Sequence, residues 1–170
     1  MTAAAGALRH RRDRHPAREH VLAAAAFALA AIAAAGLGGL ATSGSTDSEW
    51  FRSLDKPAWY PPASAFGIVW TVLYVMIAVS GYLAWRAGAD RGSLAWWGGQ
   101  MALNLAWSVV FFGLRSPGWA MAVIVALAGA IAVTIGRFAR VDRTAAWLLG
   151  PYLAWVVFAS TLNAAIVVLN

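Results

Sequence analysis

Five stretches of this chain, residues 21–41, 64–85, 93–113, 118–136 and 145–169, contain no Asp, Glu, Lys or Arg at all. Each is close to the ~20 apolar residues that a helix needs to cross a ~30 Å hydrocarbon core. Inside lipid no water is present to bond the backbone, so each run must close its hydrogen bonds internally as a helix. The expected fold is all-α, an integral membrane five-transmembrane-helix bundle. Composition agrees: 61% of the 170 residues are hydrophobic and 12% charged, with mean hydropathy +0.65, where a soluble domain has roughly 45–50% apolar residues. A polar, basic amino-terminal tail (1–20) precedes one membrane domain (21–170). The run 21–41 exceeds the 7–15 apolar residues of a signal-peptide core, so a retained helix is expected there.

The links at 86–92, 114–117 and 137–144 are short, which predicts that consecutive helices are antiparallel neighbours. Only the first loop, 42–63, has room for structure of its own. Arg and Lys set the orientation: ten lie in the tail, second and fourth loops, and three on the other side. The amino terminus is therefore predicted inside and the first loop outside, in a bacterial cell membrane. Net charge is +6, but the basic residues sit at the ends of apolar runs. They suit anionic lipid headgroups, and nucleic acid is not an expected partner.

Chemistry is constrained by what the membrane runs lack. The seven carboxylates, Asp13, Glu19, Asp47, Glu49, Asp55, Asp90 and Asp142, all fall in the tail or loops. A proton- or sodium-coupled transporter normally needs an ionisable group at membrane depth, so that mechanism is disfavoured. Cysteine is absent, and His10, His15 and His20 all lie in the tail. No metal site is expected, and no axial haem ligand inside the bundle; a solvated tail is the expected setting of the histidines.

Neutral polar groups and aromatics remain. Pro57, Pro61 and Pro62 make 56–62 a shaped, non-helical loop. Beyond it Phe66, Trp70 and Tyr74 recur every four residues, a stripe expected to face a ligand. In the third run Gln100, Asn104 and Ser108 form a polar face beside Trp107, which must point into the protein. The opposite face, Gly98, Ala102 and Ala106, suits close helix packing, either within the bundle or in a homodimer. The last run repeats the inward pattern with Tyr152, Trp155, Ala159 and Asn163, and Pro151 is expected to bend its start. Together these groups would line a cavity for a planar, amphipathic ligand. Trp85, Trp96, Trp97, Trp119 and Trp147, near helix ends, are expected in interfacial belts.

These residues resemble the tryptophan-rich sensory protein and translocator protein family, TspO/MBR, over about residues 50–169. The resemblance rests on Trp50, Leu54, Lys56, Pro57, Trp59, Pro61 and Pro62; on Phe66, Val69, Trp70 and Tyr74; on Asn104, Trp107, Ser108, Phe111 and Phe112; and on Pro151, Tyr152, Trp155, Phe158, Ala159, Leu162 and Asn163. It implies a five-helix bundle whose first loop closes over a pocket for tetrapyrroles such as protoporphyrin and haem, and for synthetic isoquinoline-type ligands. No obligatory cofactor is implied. The ligand-binding set expected from residues and resemblance together is Trp59, Phe66, Trp70, Tyr74, Asn104, Trp107, Tyr152, Trp155, Ala159 and Asn163. Trp70 and Trp155 match positions implicated in light- and oxygen-dependent porphyrin breakdown. The function expected is a receptor or sensor, with a porphyrin-degrading enzyme and a porphyrin or lipid carrier as alternatives. Two departures stand out: Phe51 replaces a frequent Tyr, and the segment after Asn163 lacks the Tyr and Arg of the animal sterol motif. Tight cholesterol binding is therefore not expected.

Overall fold

The computed structural model describes residues 16–44, 46 and 48–170. Its helices are α1 (Ala17–Ser43), α2 (Glu49–Ser53), α3 (Ala63–Arg86), α4 (Arg91–Ser108), α5 (Pro117–Phe138), α6 (Arg143–Leu148) and α7 (Gly150–Leu169). A π-helical segment, Val109–Gly113, prolongs α4. Local chemistry sets these bounds. Asp90 and Asp142 cap α4 and α6 by accepting from the Ser93 and Ala145 amides at 2.6 and 2.9 Å. Ser48 does the same for α2 with the Phe51 amide, as short oxygen-bearing side chains do at helix starts. Pro117 opens α5, where its missing N–H costs nothing.

Among the described residues, four helical stretches are long and apolar enough to cross a membrane: Ala17–Ser43, Ala63–Arg86, Pro117–Phe138 and Arg143–Leu169. The α4 helix is less apolar because it carries Gln100, Asn104 and Ser108, all buried.

Two expectations need correction. The first helix begins at Ala17, so His20 lies inside it. Its ring meets Tyr82 and Trp85 edge-on at 6.3 and 5.6 Å, and the Tyr82 hydroxyl is 3.3 Å from Nδ1. His20 is thus half-buried and not a solvated tail group, while His10 and His15 lie outside the described residues. The last apolar run remains one stretch, Arg143–Leu169, with a break between α6 and α7 at the bend expected from Pro151, since Pro151 cannot donate to the carbonyl of the preceding turn. Finally, α3 and α4 are consecutive but hardly touch, since α1 packs against both of them. The rods close into a ring in which α4 meets α5, α5 meets α7, and α6 returns to α3.

The half of the ring away from the first loop is dense. Ala84, Ile131, Phe138 and Ala145 have no exposed surface. Where α1, α3 and α4 converge, a Cβ on Gly81 would stand 2.6 Å from the Phe27 ring and 2.8 Å from Trp97. Only glycine allows that approach. Trp97 is itself buried, donates its indole N–H to the Ile77 carbonyl at 3.0 Å, and is therefore a core residue rather than an interfacial one. Ser80 ties α3 to the α6 region through the Ala145 carbonyl at 2.7 Å. With no hydrophobic drive between helices in lipid, close packing and such bonds must hold the bundle.

Candidate ligand cavity

Towards the first loop the ring opens into a cavity of about 830 Å³. Its walls come from six parts of the chain. The α3 helix supplies Phe66, Trp70 and Tyr74, so the every-fourth-residue stripe does face inward. From α4 come Asn104, Trp107 and Ser108, and the π segment adds both Phe111 and Phe112. Its wider turn brings these adjacent rings to one wall, a use of π geometry common near functional sites. From α7 come Ala159, Leu162, Asn163 and Ile166. The first loop closes the outer end with Phe51 and Tyr60.

Two hydrogen-bond relays order the polar wall. The Tyr74 hydroxyl donates to Asn104 Oδ1 at 2.8 Å. Trp107 donates its indole N–H to Asn163 Oδ1 at 3.1 Å, and Asn163 Nδ2 donates to the Pro117 carbonyl at 2.8 Å. The second relay fastens α4, α7 and the start of α5 together and uses both ends of the Asn163 amide. Asn104 differs, because its buried Nδ2 makes no well-formed hydrogen bond and has only the Tyr152 hydroxyl beside it. A buried donor left in that state is costly, so Asn104 is the wall's available donor.

Of the expected binding residues, Phe66, Trp70, Tyr74, Asn104, Trp107, Ala159 and Asn163 share this cavity. Tyr152 and Trp155 stand one layer behind it. Tyr152 is fully buried edge-on to Trp70 at 6.1 Å, and Trp155 packs edge-on to Phe66 at 5.6 Å. The Tyr152 hydroxyl and Trp155 Nε1 are also buried without a well-formed hydrogen bond. Trp59 is elsewhere: it is 58% exposed, in a shallow groove with Lys56, Ala164, Ala165 and Val168. What the sequence reading missed is α1, whose Ala28, Ala31, Ile32, Ala35, Gly38 and Gly39 form a whole wall. Their three- and four-residue spacing was the available signal, hidden because the entire helix is Ala- and Gly-rich.

The first loop is held in place by specific contacts. Lys56 donates to the carbonyls of Phe51 and Leu54 at 2.6 and 3.1 Å, with its ammonium 4.5 Å from the centre of the Phe51 ring. Phe51 in turn meets Phe112 at 5.6 Å, and Tyr60 meets Phe66 at 5.5 Å. Burial raises the Tyr60 phenol above its ordinary pKa. Asn170 grips the peptide of Asp55 from both sides, accepting from its N–H at 3.0 Å and donating to its carbonyl at 3.2 Å. The cavity is thus apolar and aromatic, with a few fixed amides and hydroxyls, and its lining includes no His, Cys or Met.

Comparison with known proteins agrees with this architecture. The family model described as the TspO/MBR family matches residues 25–169. The chain is 41% identical to the human translocator protein over 119 residues, covering 67% of this chain and 70% of that protein. It is 38% identical to the tryptophan-rich protein TspO of Archaeoglobus fulgidus over 142 residues, covering 82% and 92%. With the tryptophan-rich sensory protein of Cereibacter sphaeroides it shares 34% identity over 131 residues, covering 76% and 83%. A match spanning α1 through α7 takes in the ring of helices, the lid and the cavity alike, and the chain accordingly belongs to the TspO/MBR family.

Proposed function

We propose that this protein is a membrane receptor or sensor that binds tetrapyrroles, protoporphyrin or haem, and related planar hydrophobic ligands of the isoquinoline type, in the cavity beneath the first loop. The observation that carries this reading is the shape and chemistry of that cavity. Its volume of about 830 Å³ falls within the roughly 300–1,000 Å³ range of small-molecule sites. Flat aromatic walls from Phe66, Trp70, Tyr74 and Trp107 suit stacking on a planar ring system, and Asn104 Nδ2 offers a donor to a carbonyl or carboxylate on it. Haem would be held through its macrocycle and peripheral groups, since no His, Cys or Met lines the cavity.

In this reading α4 crosses the membrane with the other four rods, giving five spans with the amino terminus inside a bacterial cell membrane. Membrane lipids surround the bundle, and a second copy packs on the exposed Gly98 and Ala102 face of α4. Titrating the purified protein with protoporphyrin in the dark, following tryptophan quenching and the porphyrin absorption band, tests the reading. Saturable binding weakened by Asn104→Leu supports it; quenching that never saturates refutes it.

A second reading, light- and oxygen-dependent breakdown of bound porphyrin, draws on the placement of Trp70 on the cavity wall. Illumination in air distinguishes the two. Bleaching faster than free porphyrin, lost in Trp70→Phe with binding retained, favours the enzyme, whereas a stable spectrum favours the receptor.

A further inference from the structure

The cavity has a second side. Several residues that line it are also exposed: Ile32 and Gly39 on α1, Gly67, Thr71, Val75 and Val79 on α3, and Thr46 and Ala63 at the first-loop end. Lining residues elsewhere in the cavity, Asn104, Ala159 and Asn163, are buried, so the exposure of these residues lies largely on the outer side, along both flanks of the seam between α1 and α3, where we place a slot. Lining positions on α1 run from Ala28 to Thr42; the stretch from Ala28 to Gly39 alone spans about 17 Å at the helical rise. That is roughly half of the ~30 Å hydrocarbon core, on the side of the first loop.

The slot is built for hydrocarbon. Its two hydroxyls are turned back into their own helices, Thr71 donating to the Gly67 carbonyl at 2.8 Å and Thr42 to the Gly38 carbonyl at 2.8 Å. Neither therefore carries an unpaired donor into lipid. Gly39 and Gly67 keep the rim open, for a Cβ at either would meet nothing within 4 Å. The polar groups, Asn104, Ser108 and Asn163, belong to α4 and α7 and lie inside the cavity, behind Gly38 and Tyr74. Over the first-loop end sit Phe51 and Tyr60, fastened by Lys56 and Asn170, with Thr46 and Ala63 exposed at the edge where the slot meets the loop.

We propose that ligands reach the cavity laterally, from solution in the outer leaflet through the slot between α1 and α3, and not through the first loop. The ligand class is accordingly a bilayer-dissolved amphiphile, entering with its apolar edge in the slot and its acceptor group towards Asn104. This rests on the binding role and membrane orientation proposed above, and adds the route and the partitioning that the ligand must have.

The test is kinetic, in vesicles. Gly39→Phe and Gly67→Phe, singly and together, place rings in the slot without touching the lid; Asn170→Ala loosens the lid without touching the slot. Protoporphyrin preloaded in the outer leaflet should associate with the double variant roughly tenfold more slowly, the association rate being read apart from any change in Kd, while Asn170→Ala behaves as the parent. Unchanged rates in the double variant, or faster exchange in Asn170→Ala, would overturn the slot route. A porphyrin-independent arm uses vesicles of brominated phosphatidylcholine, taking the quenching of Trp107 as the difference between the parent and Trp107→Phe. Quenching of this cavity-lining indole that disappears in the double variant supports the slot, and its absence in the parent refutes it. If protoporphyrin does not bind the parent at all, the ligand assignment fails, and the bromolipid arm still decides the slot.

Discussion

The Tyr74 hydroxyl donates to Asn104 Oδ1 across 2.8 Å and so joins α3 to α4, as the Trp97 indole does through the Ile77 carbonyl at their other end. The bond fixes the Asn104 amide with its oxygen occupied and its Nδ2 without a well-formed hydrogen bond. Replacing Asn104 with Leu is expected to weaken protoporphyrin binding by about 1 kcal/mol, or roughly fivefold in Kd. Isothermal or fluorescence titration measures this, and an unchanged Kd would make Asn104 structural.

Asn163 should behave in the opposite way. Both ends of its amide are committed, to Trp107 and to the Pro117 carbonyl. Asn163→Leu leaves those two groups unpaired and is expected to destabilise the protein by about 1–3 kcal/mol. A lowered Tm in detergent with near-parental affinity for the folded fraction is the expected pattern; a Tm equal to the parent's would contradict it.

Gly81→Ala should be the most damaging small substitution in the half away from the first loop. The added methyl would lie 2.6 Å from Phe27 and 2.8 Å from Trp97, ring atoms held in a packed core, and overpacking of this kind costs about 1–3 kcal/mol. Thermal unfolding of Gly81→Ala beside Gly129→Ala, where a Cβ meets nothing within 4 Å, separates the contact from the general effect of losing a glycine.

Trp59→Ala should leave ligand affinity unchanged, since Trp59 lies in the groove outside the lid. A several-fold loss of protoporphyrin affinity would mean that the lid rearranges on binding and brings Trp59 inside.

One pH dependence follows from the α4 cap. Hydrogen bonds from Ser93 hold the Asp90 carboxyl below its ordinary range. A carboxylate with a depressed folded pKa stabilises the fold above its unfolded pKa, about 3.9, and that contribution is lost as pH falls through the lower folded value. Thermal unfolding between pH 3 and 5 should therefore show an acid-side loss that is smaller in Asp90→Asn, which keeps the capping oxygen without the titration. Equal acid sensitivity in the two proteins would remove Asp90 as the cause.

Much of the cavity was legible from spacing. Phe66, Trp70 and Tyr74 share a helical stripe whatever their neighbours do, and Asn104 and Ser108 could not face lipid. The α1 wall was not legible, because in a helix made almost wholly of Ala, Gly and Leu no face stands out from the rest. Trp97 was misread for a related reason: closeness to a helix end suggests the interface, but its place beside Gly81 in the core follows from which helices converge there.

The sequence by itself determined that this chain forms apolar helices joined by short links, with its charges outside them, because an uncharged run of about twenty residues has no other way to satisfy its backbone in lipid. It also determined which side chains share a helical face. Tertiary structure alone decided the ring order, with α1 between α3 and α4, the retreat of Tyr152 and Trp155 behind the cavity wall, and the place of α1 as one of its walls. Helical period places a residue around its own axis and carries no information about which other axis lies beside it. That neighbour is chosen by the fit of surfaces such as Gly81 against Phe27 and Trp97, which exists only once the helices have met.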